Sequence, residues 1–229
     1  AQDDVTEIAY GKAVQKTMEK SQTEVEFSFE GVVGDIVIVE VSVDNAFLNG
    51  LSPELEILNA RGSGLFKTDV GDDGMETQDW SIARIVLEIP ADGQYTVLVT
   101  NNQSLTLQND APFSLRLIKL DILEKDDVIS GKSSSKVPIY LAIISDKAFV
   151  IHYTQIGQYK PAVTIGRIQD GGTEILAMMF GKGLETGSLS VEPNRNTLHL
   201  VTIKRSMFDL DGLFSTSDAE FTIQMTTEQ

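Results

Sequence analysis

The chain has 229 residues and a formal charge of −16, from 34 acidic against 18 basic side chains, with no cysteine, two histidines and 41% hydrophobic content. The apolar share is near the globular norm, so the acidity does not imply disorder. The charge balance excludes a nucleic-acid partner and docking on anionic membranes, the missing cysteines exclude disulfides, thiolate metal sites and thiol nucleophiles, and no apolar run approaches the ~20 residues of a membrane span.

The first residues, Ala1-Gln2-Asp3-Asp4, are a small residue followed by polar and acidic ones. That pattern is what signal peptidase leaves behind, and it predicts an exported protein at the cell surface or beyond it. The stretch from Thr6 to Gln22 keeps neither a helical nor a strand period. Around its start, Val5, Ile8 and Tyr10 are read as an assembly arm that lies along an open sheet edge, either its own or that of a neighbouring copy.

Period-2 alternation then takes over, as in half-buried strands. It runs through Val25-Glu26-Phe27-Ser28-Phe29, through Val37, Val39, Val41 and Val43, then Ile85, Leu87 and Ile89, Tyr95, Val97 and Val99, and Phe113, Leu115 and Leu117. Turn signals at Asn49-Gly50, Asp73-Gly74 and Asp92-Gly93 punctuate it. Short strands separated by such turns predict an all-β chain of sandwich or barrel type.

The second half repeats the first. Pro53-Glu54-Leu55-Glu56-Ile57 aligns with Pro161-Ala162-Val163-Thr164-Ile165, and Phe113-Ser114-Leu115 with Phe221-Thr222-Ile223, both at an offset of 108. Val25-x-Phe27-x-Phe29 aligns with Val137-x-Ile139-x-Leu141 at an offset of 112, as Gly34–Val39 does with Asp146–Ile151. Four blocks in one order predict two tandem β-sandwich, jelly-roll-like domains, residues 1–120 and 121–229. They also predict that Phe113 and Phe221 hold equivalent inward places on the last strand of each.

Three blocks of the first repeat carry a family resemblance: Phe27-Ser28-Phe29-Glu30-Gly31 with Gly34-Asp35-Ile36-Val37-Ile38, then Ser52–Leu58, then Asp92-Gly93-Gln94-Tyr95-Thr96-Val97. Over roughly residues 8–118 the chain resembles the bacterial pre-peptidase C-terminal domain. That resemblance implies a secreted β-sandwich found beside extracellular peptidases, with an accessory and non-catalytic role. The second repeat departs from it, with Asn196-Thr197-Leu198 in place of the Gly-x-Tyr turn and Ser145-Asp146-Lys147 in place of the Gly-Asp turn.

Catalysis requires a nucleophile, a base and an oxyanion donor that interlock. His152 and His199 both read as strand residues, and no Gly-x-Ser-x-Gly elbow, His-Glu-x-x-His helix or phosphate loop occurs, so no enzyme is expected. The acidic segment holding Asp69, Asp72, Asp73, Glu76 and Asp79 is read first as solvated surface, with calcium as the alternative because that ion takes six to eight oxygens. No other cofactor is expected. Trp80, the single tryptophan, plugs a sandwich end or, alternatively, stacks on a sugar.

Two functions are then weighed. The first is a non-catalytic structural protein outside the cell, the subunit of a filament or sheath built by head-to-tail self-association into a homopolymer. The alternative is a glycan- or polymer-binding accessory module of a secreted system.

Overall fold

In the computed structural model, residues 5–43, 50–68, 81–101, 107–133, 138–156, 161–169, 172–180, 185–192, 197–205 and 219–227 are described. Their regular structure is all strand. The chain divides into two compact units, the first taking residues 1–120 and the second the bulk of 121–229.

The first unit contains β1 (Thr6–Glu7), β2 (Lys12–Met18), β3 (Glu24–Gly31), β4 (Ile36–Val43), β5 (Pro53–Leu58), β6 (Gly64–Lys67), β7 (Ile82–Glu88), β8 (Gly93–Asn101) and β9 (Ala111–Lys119). They form a five-stranded sheet in the order β1-β3-β8-β5-β6 and a four-stranded one in the order β2-β9-β4-β7. The alternating valines of β4 and the alternate residues of β9 face Phe27, Leu55, Val97 and Val99 of the other sheet in one buried core. Phe27 and Phe113 bridge the sheets edge to face, their centroids 6.0 Å apart. Gly34, at φ 82°, makes the β3–β4 turn in a conformation other residues avoid. Asp92 ties that turn to the one before β8, its carboxylate accepting the Val33 amide at 2.8 Å.

The second unit contains β10 (Asp121–Ile122), β11 (Val128–Ser133), β12 (Ile139–Ser145), β13 (Phe149–Ile156), β14 (Pro161–Gln169), β15 (Gly172–Phe180), β16 (Glu185–Val191), β17 (Thr197–Arg205) and β18 (Ala219–Thr227). Its sheets run β10-β12-β17-β14-β15 and β11-β18-β13-β16. Every strand therefore has a counterpart nine places earlier, with the same neighbours. Strand β9 and strand β18 share the alternation of buried and exposed positions almost throughout, and Phe113 and Phe221 are both buried in their cores.

Register corrects the alignment in one block. Phe27 pairs with Val97 in the first unit and Leu141 with Val201 in the second, with Thr6 and Asp121 beside Phe27 and Leu141 on parallel edge strands. Phe27 thus corresponds to Leu141, two residues on from the sequence alignment. A slip of two keeps every side chain on its face, so alternation alone does not detect it. The same pairing sets Tyr95 opposite Phe29 and His199 opposite Ile143.

Candidate functional site

The two units diverge on the outer faces of their four-stranded sheets, the faces turned away from the cores. Cross-strand pairing defines rows of side chains there, with neighbours about 4.8 Å apart along a row and rows about 6.6 Å apart. In the first unit one row reads Ala13, Arg116, Glu40, Arg84, and the next Ile118, Ile38, Val86. Ile36, Ile38, Val86, Glu40 and Arg84 are all buried. The Glu40 carboxylate accepts Arg84 Nε at 3.1 Å and Nη2 at 2.8 Å on Oε2, while Oε1 accepts Arg116 Nε at 3.1 Å and also Nη2. Burial acts to raise the Glu40 pKa, but the two guanidinium groups outweigh it and hold the carboxyl below its ordinary value. This face holds a buried ion cluster beside a buried aliphatic row.

The matching face of the second unit has different chemistry. Its rows read Lys132, Glu220, Ile156; then Ser130, Thr222, Thr154, Thr186; then Val128, Gln224, His152, Ser188. His152, Gln224 and Ser188 thus stand where Glu40, Arg116 and Arg84 stand in the first unit. Ser130, Lys132, His152, Thr154, Ile156, Thr186, Ser188 and Glu220 are exposed. An open groove of about 480 Å³ crosses β11, β18 and β13, walled by Lys132, Glu220, Ile156, Thr154, Thr222 and Ser130. The hydroxyls of Ser130 and Thr222 lie 3.1 Å apart. His152 contacts Ser188 Oγ through Nδ1 at 2.9 Å and Thr226 Oγ1 through Nε2 at 3.1 Å.

A histidine beside a serine hydroxyl suggests a nucleophile and its base, but the surroundings do not complete that machinery. The second ring nitrogen meets a threonine rather than an orienting carboxylate. Strand β13 is paired on both sides, so its amides are committed to the sheet rather than to an oxyanion. Among the described residues no three His, Cys, Asp or Glu side chains gather as a metal site.

The other histidine is a core residue. His199 is fully buried and meets Phe149 edge to face at 5.2 Å, and the backbone of Thr197 and Ile143 lies near its ring. Burial pushes its pKa down. It occupies the place of Tyr95, whose ring stacks on Phe29 at 5.3 Å and whose hydroxyl donates to the Ala91 carbonyl at 2.7 Å.

Of the two edges open to the N-terminal segment on sequence grounds, it lies on its own. Strand β1 runs parallel beside β3, and the Ile8 amide donates to the Ser28 carbonyl at 2.8 Å. Ile8 is buried in the core, Tyr10 packs against that core, and Val5 is 47% exposed. Burial and the nearby Asp35 carboxylate raise the Tyr10 pKa. Residues 12–18, which kept no period in sequence, form β2. The calcium candidates Asp69, Asp72, Asp73, Glu76 and Asp79, and Trp80 with them, lie outside the described residues.

No family model matches the chain, and neither does any curated protein. Among solved structures, the pre-peptidase C-terminal domain of a Bacillus anthracis collagenase is 10% identical and matches 50% of this chain and 94% of its own, at a TM-score of 0.36. The tandem CBM51 modules of Sp3GH98, a family 98 glycoside hydrolase from Streptococcus pneumoniae, are 8% identical over 96% of this chain and 85% of theirs, at 0.31. The tandem CBM22 domains of Xyn10C from Paenibacillus barcinonensis are 9% identical over 96% and 93%, at 0.28. Likenesses of this size carry no functional assignment. No helix among the described residues is long and apolar enough to cross a membrane.

Proposed function

We propose that this chain is a non-catalytic extracellular module that binds a polymeric ligand on the outer face of the β11-β18-β13-β16 sheet. One observation supports this above the others. Two domains of one topology keep the same inward pattern, yet one buries aliphatic side chains and an ion cluster on its outer face and the other exposes a polar groove. Neither strand pairing nor core packing needs such a groove, whereas a ligand surface does. The extracellular setting and the accessory role rest on the resemblance of roughly residues 8–118 to a secreted domain family.

The filament reading is less favoured by the geometry. Strand donation by the N-terminal segment would first have to unpair β1 from β3 and withdraw Ile8 from the core. The test is co-sedimentation of the purified chain with insoluble cell-wall and extracellular-matrix polymers, alongside peptidase, esterase and glycosidase panels and light scattering. Saturable co-sedimentation of a monomer without turnover is the expected result. Turnover, or no binding to any polymer, refutes the proposal.

A further inference from the structure

Resting on that reading, we infer that the groove takes a neutral glycan chain, held by the hydroxyls of Ser130, Thr222 and Thr154, whose row Thr186 continues beyond the groove, and by the facing Lys132 and Glu220. The row crosses four strands and spans about 14 Å at ordinary strand spacing. Each hydroxyl both donates and accepts, so the row satisfies ligand hydroxyls presented in either sense. Lys132 and Glu220 stand directly opposite one another at one end, both exposed. They set a pure donor beside a pure acceptor, a combination that vicinal sugar hydroxyls meet simultaneously.

Apolar surface is present too, as a sugar's C–H face requires. Ile156 is 59% exposed in the row with Glu220 and lines the groove together with Thr154 and Thr222. The volume of about 480 Å³ falls inside the range of small-ligand sites, and the open side lets a chain continue past it.

Charge selects the class. The lysine and the glutamate cancel within the groove, while the whole chain carries −16. A polyanion meets repulsion from the molecule and no cationic cluster at the groove. A polycation is drawn to the acidic remainder instead of this face. A neutral polyhydroxylated polymer is what remains.

The experiment is native affinity electrophoresis of the full chain in gels containing hydroxyethyl cellulose, galactomannan or xyloglucan, with polygalacturonate as the charged comparison. The wild type is compared with T154V/T222V, which removes two hydroxyls while keeping β-branched shape, and with E220Q. Melting curves establish that each variant folds. Retardation by at least one neutral polysaccharide is expected, weakened about ten-fold or more in T154V/T222V, as the loss of two ordinary hydrogen bonds implies. E220Q should weaken it less. Retardation equal in wild type and T154V/T222V moves the ligand off the groove and overturns the inference, though the chain would remain a binding module. No retardation by any neutral polysaccharide, or retardation by polygalacturonate alone, overturns the glycan assignment, and co-sedimentation with non-glycan polymers then decides the broader reading separately.

Discussion

Replacing Glu40 with glutamine should destabilise the first domain by about 3 kcal/mol. The carboxylate is 5% exposed and takes two N–H groups from Arg84, 6% exposed, and two from Arg116, 24% exposed. A glutamine amide keeps one acceptor oxygen and turns an NH₂ donor toward a guanidinium. Breaking a buried pair from one side costs about 3–5 kcal/mol, because the stranded charge stays desolvated. Arg116 is partly solvated, so the loss falls mainly on the buried Arg84 and the lower end applies. With an m-value of about 2 kcal/mol/M, the urea midpoint of the first-domain transition should fall by about 1.5 M. The pH dependence has a definite sign. Glu40 titrates below its ordinary value when folded, so its stabilisation is present above the unfolded pKa of about 4.3 and is lost as pH falls through the folded one. The gap between wild type and E40Q should therefore narrow below about pH 4. The triple change E40L/R84M/R116M removes the charges together and should cost less than E40Q alone. An E40Q loss under about 1 kcal/mol, the scale of a surface pair, or a triple variant worse than E40Q, would refute the account.

Three further outcomes follow from the cores. F113A and F221A should each cost about 3–5 kcal/mol, seen by calorimetry in the first-domain and second-domain transitions respectively, since both rings are buried at equivalent places; a loss under about 1 kcal/mol in either would contradict the paired frame. The second domain should lose stability as pH falls below about 6.5, because the unfolded chain protonates His199 more readily than the fold does; H199L should abolish that slope in melts between about pH 5 and 6.5, and a slope that persists would place it elsewhere. G31A should destabilise by about 1–3 kcal/mol, since a Cβ there would lie 2.7 Å from the Tyr95 ring, and a neutral result in denaturant titration would show that the ring moves aside freely.

How much of this is legible in the sequence depends on which phase of the alternation is read. The inward phase of β9 and β18, Phe113-x-Leu115-x-Leu117 and Phe221-x-Ile223-x-Met225, is apolar against polar neighbours, and burial follows it. In β4 both phases are apolar, Val37, Val39 and Val41 inward and Ile36 and Ile38 outward, which is the signature of a strand covered on two faces. Glu40 interrupts that outward phase, and a charge amid apolar neighbours was the available sign of a buried ion cluster. Its partners lie 44 and 76 residues away, and only the register brings them together. The groove was less visible still. Its walls come from β11, β13 and β18, each contributing polar residues of the kind any solvated face carries. His199 sits in an apolar run, Leu198-His199-Leu200-Val201, and alternation places it on a strand without identifying it as the counterpart of Tyr95.

The duplicated frame separates what folding demands from what it leaves free. Inward positions must fill one close-packed interior, so exchanges there are constrained by volume: Tyr95 gives way to His199, and Phe27 to Leu141, with the neighbours still touching. Outward positions must leave the backbone ladder intact, which does not depend on the side chain, and must suit their exposure: Ile36, Ile38, Glu40 and Arg84 are buried, whereas His152 and Ser188 are exposed. At one place in that ladder the first domain holds Arg116, Glu40 and Arg84, and the second holds Gln224, His152 and Ser188. The pairing of β4 with its neighbours is reproduced by β13, so the sheet accommodates either set. The first domain holds a buried ion cluster at that place, and the second holds a row in which His152 and Ser188 are exposed.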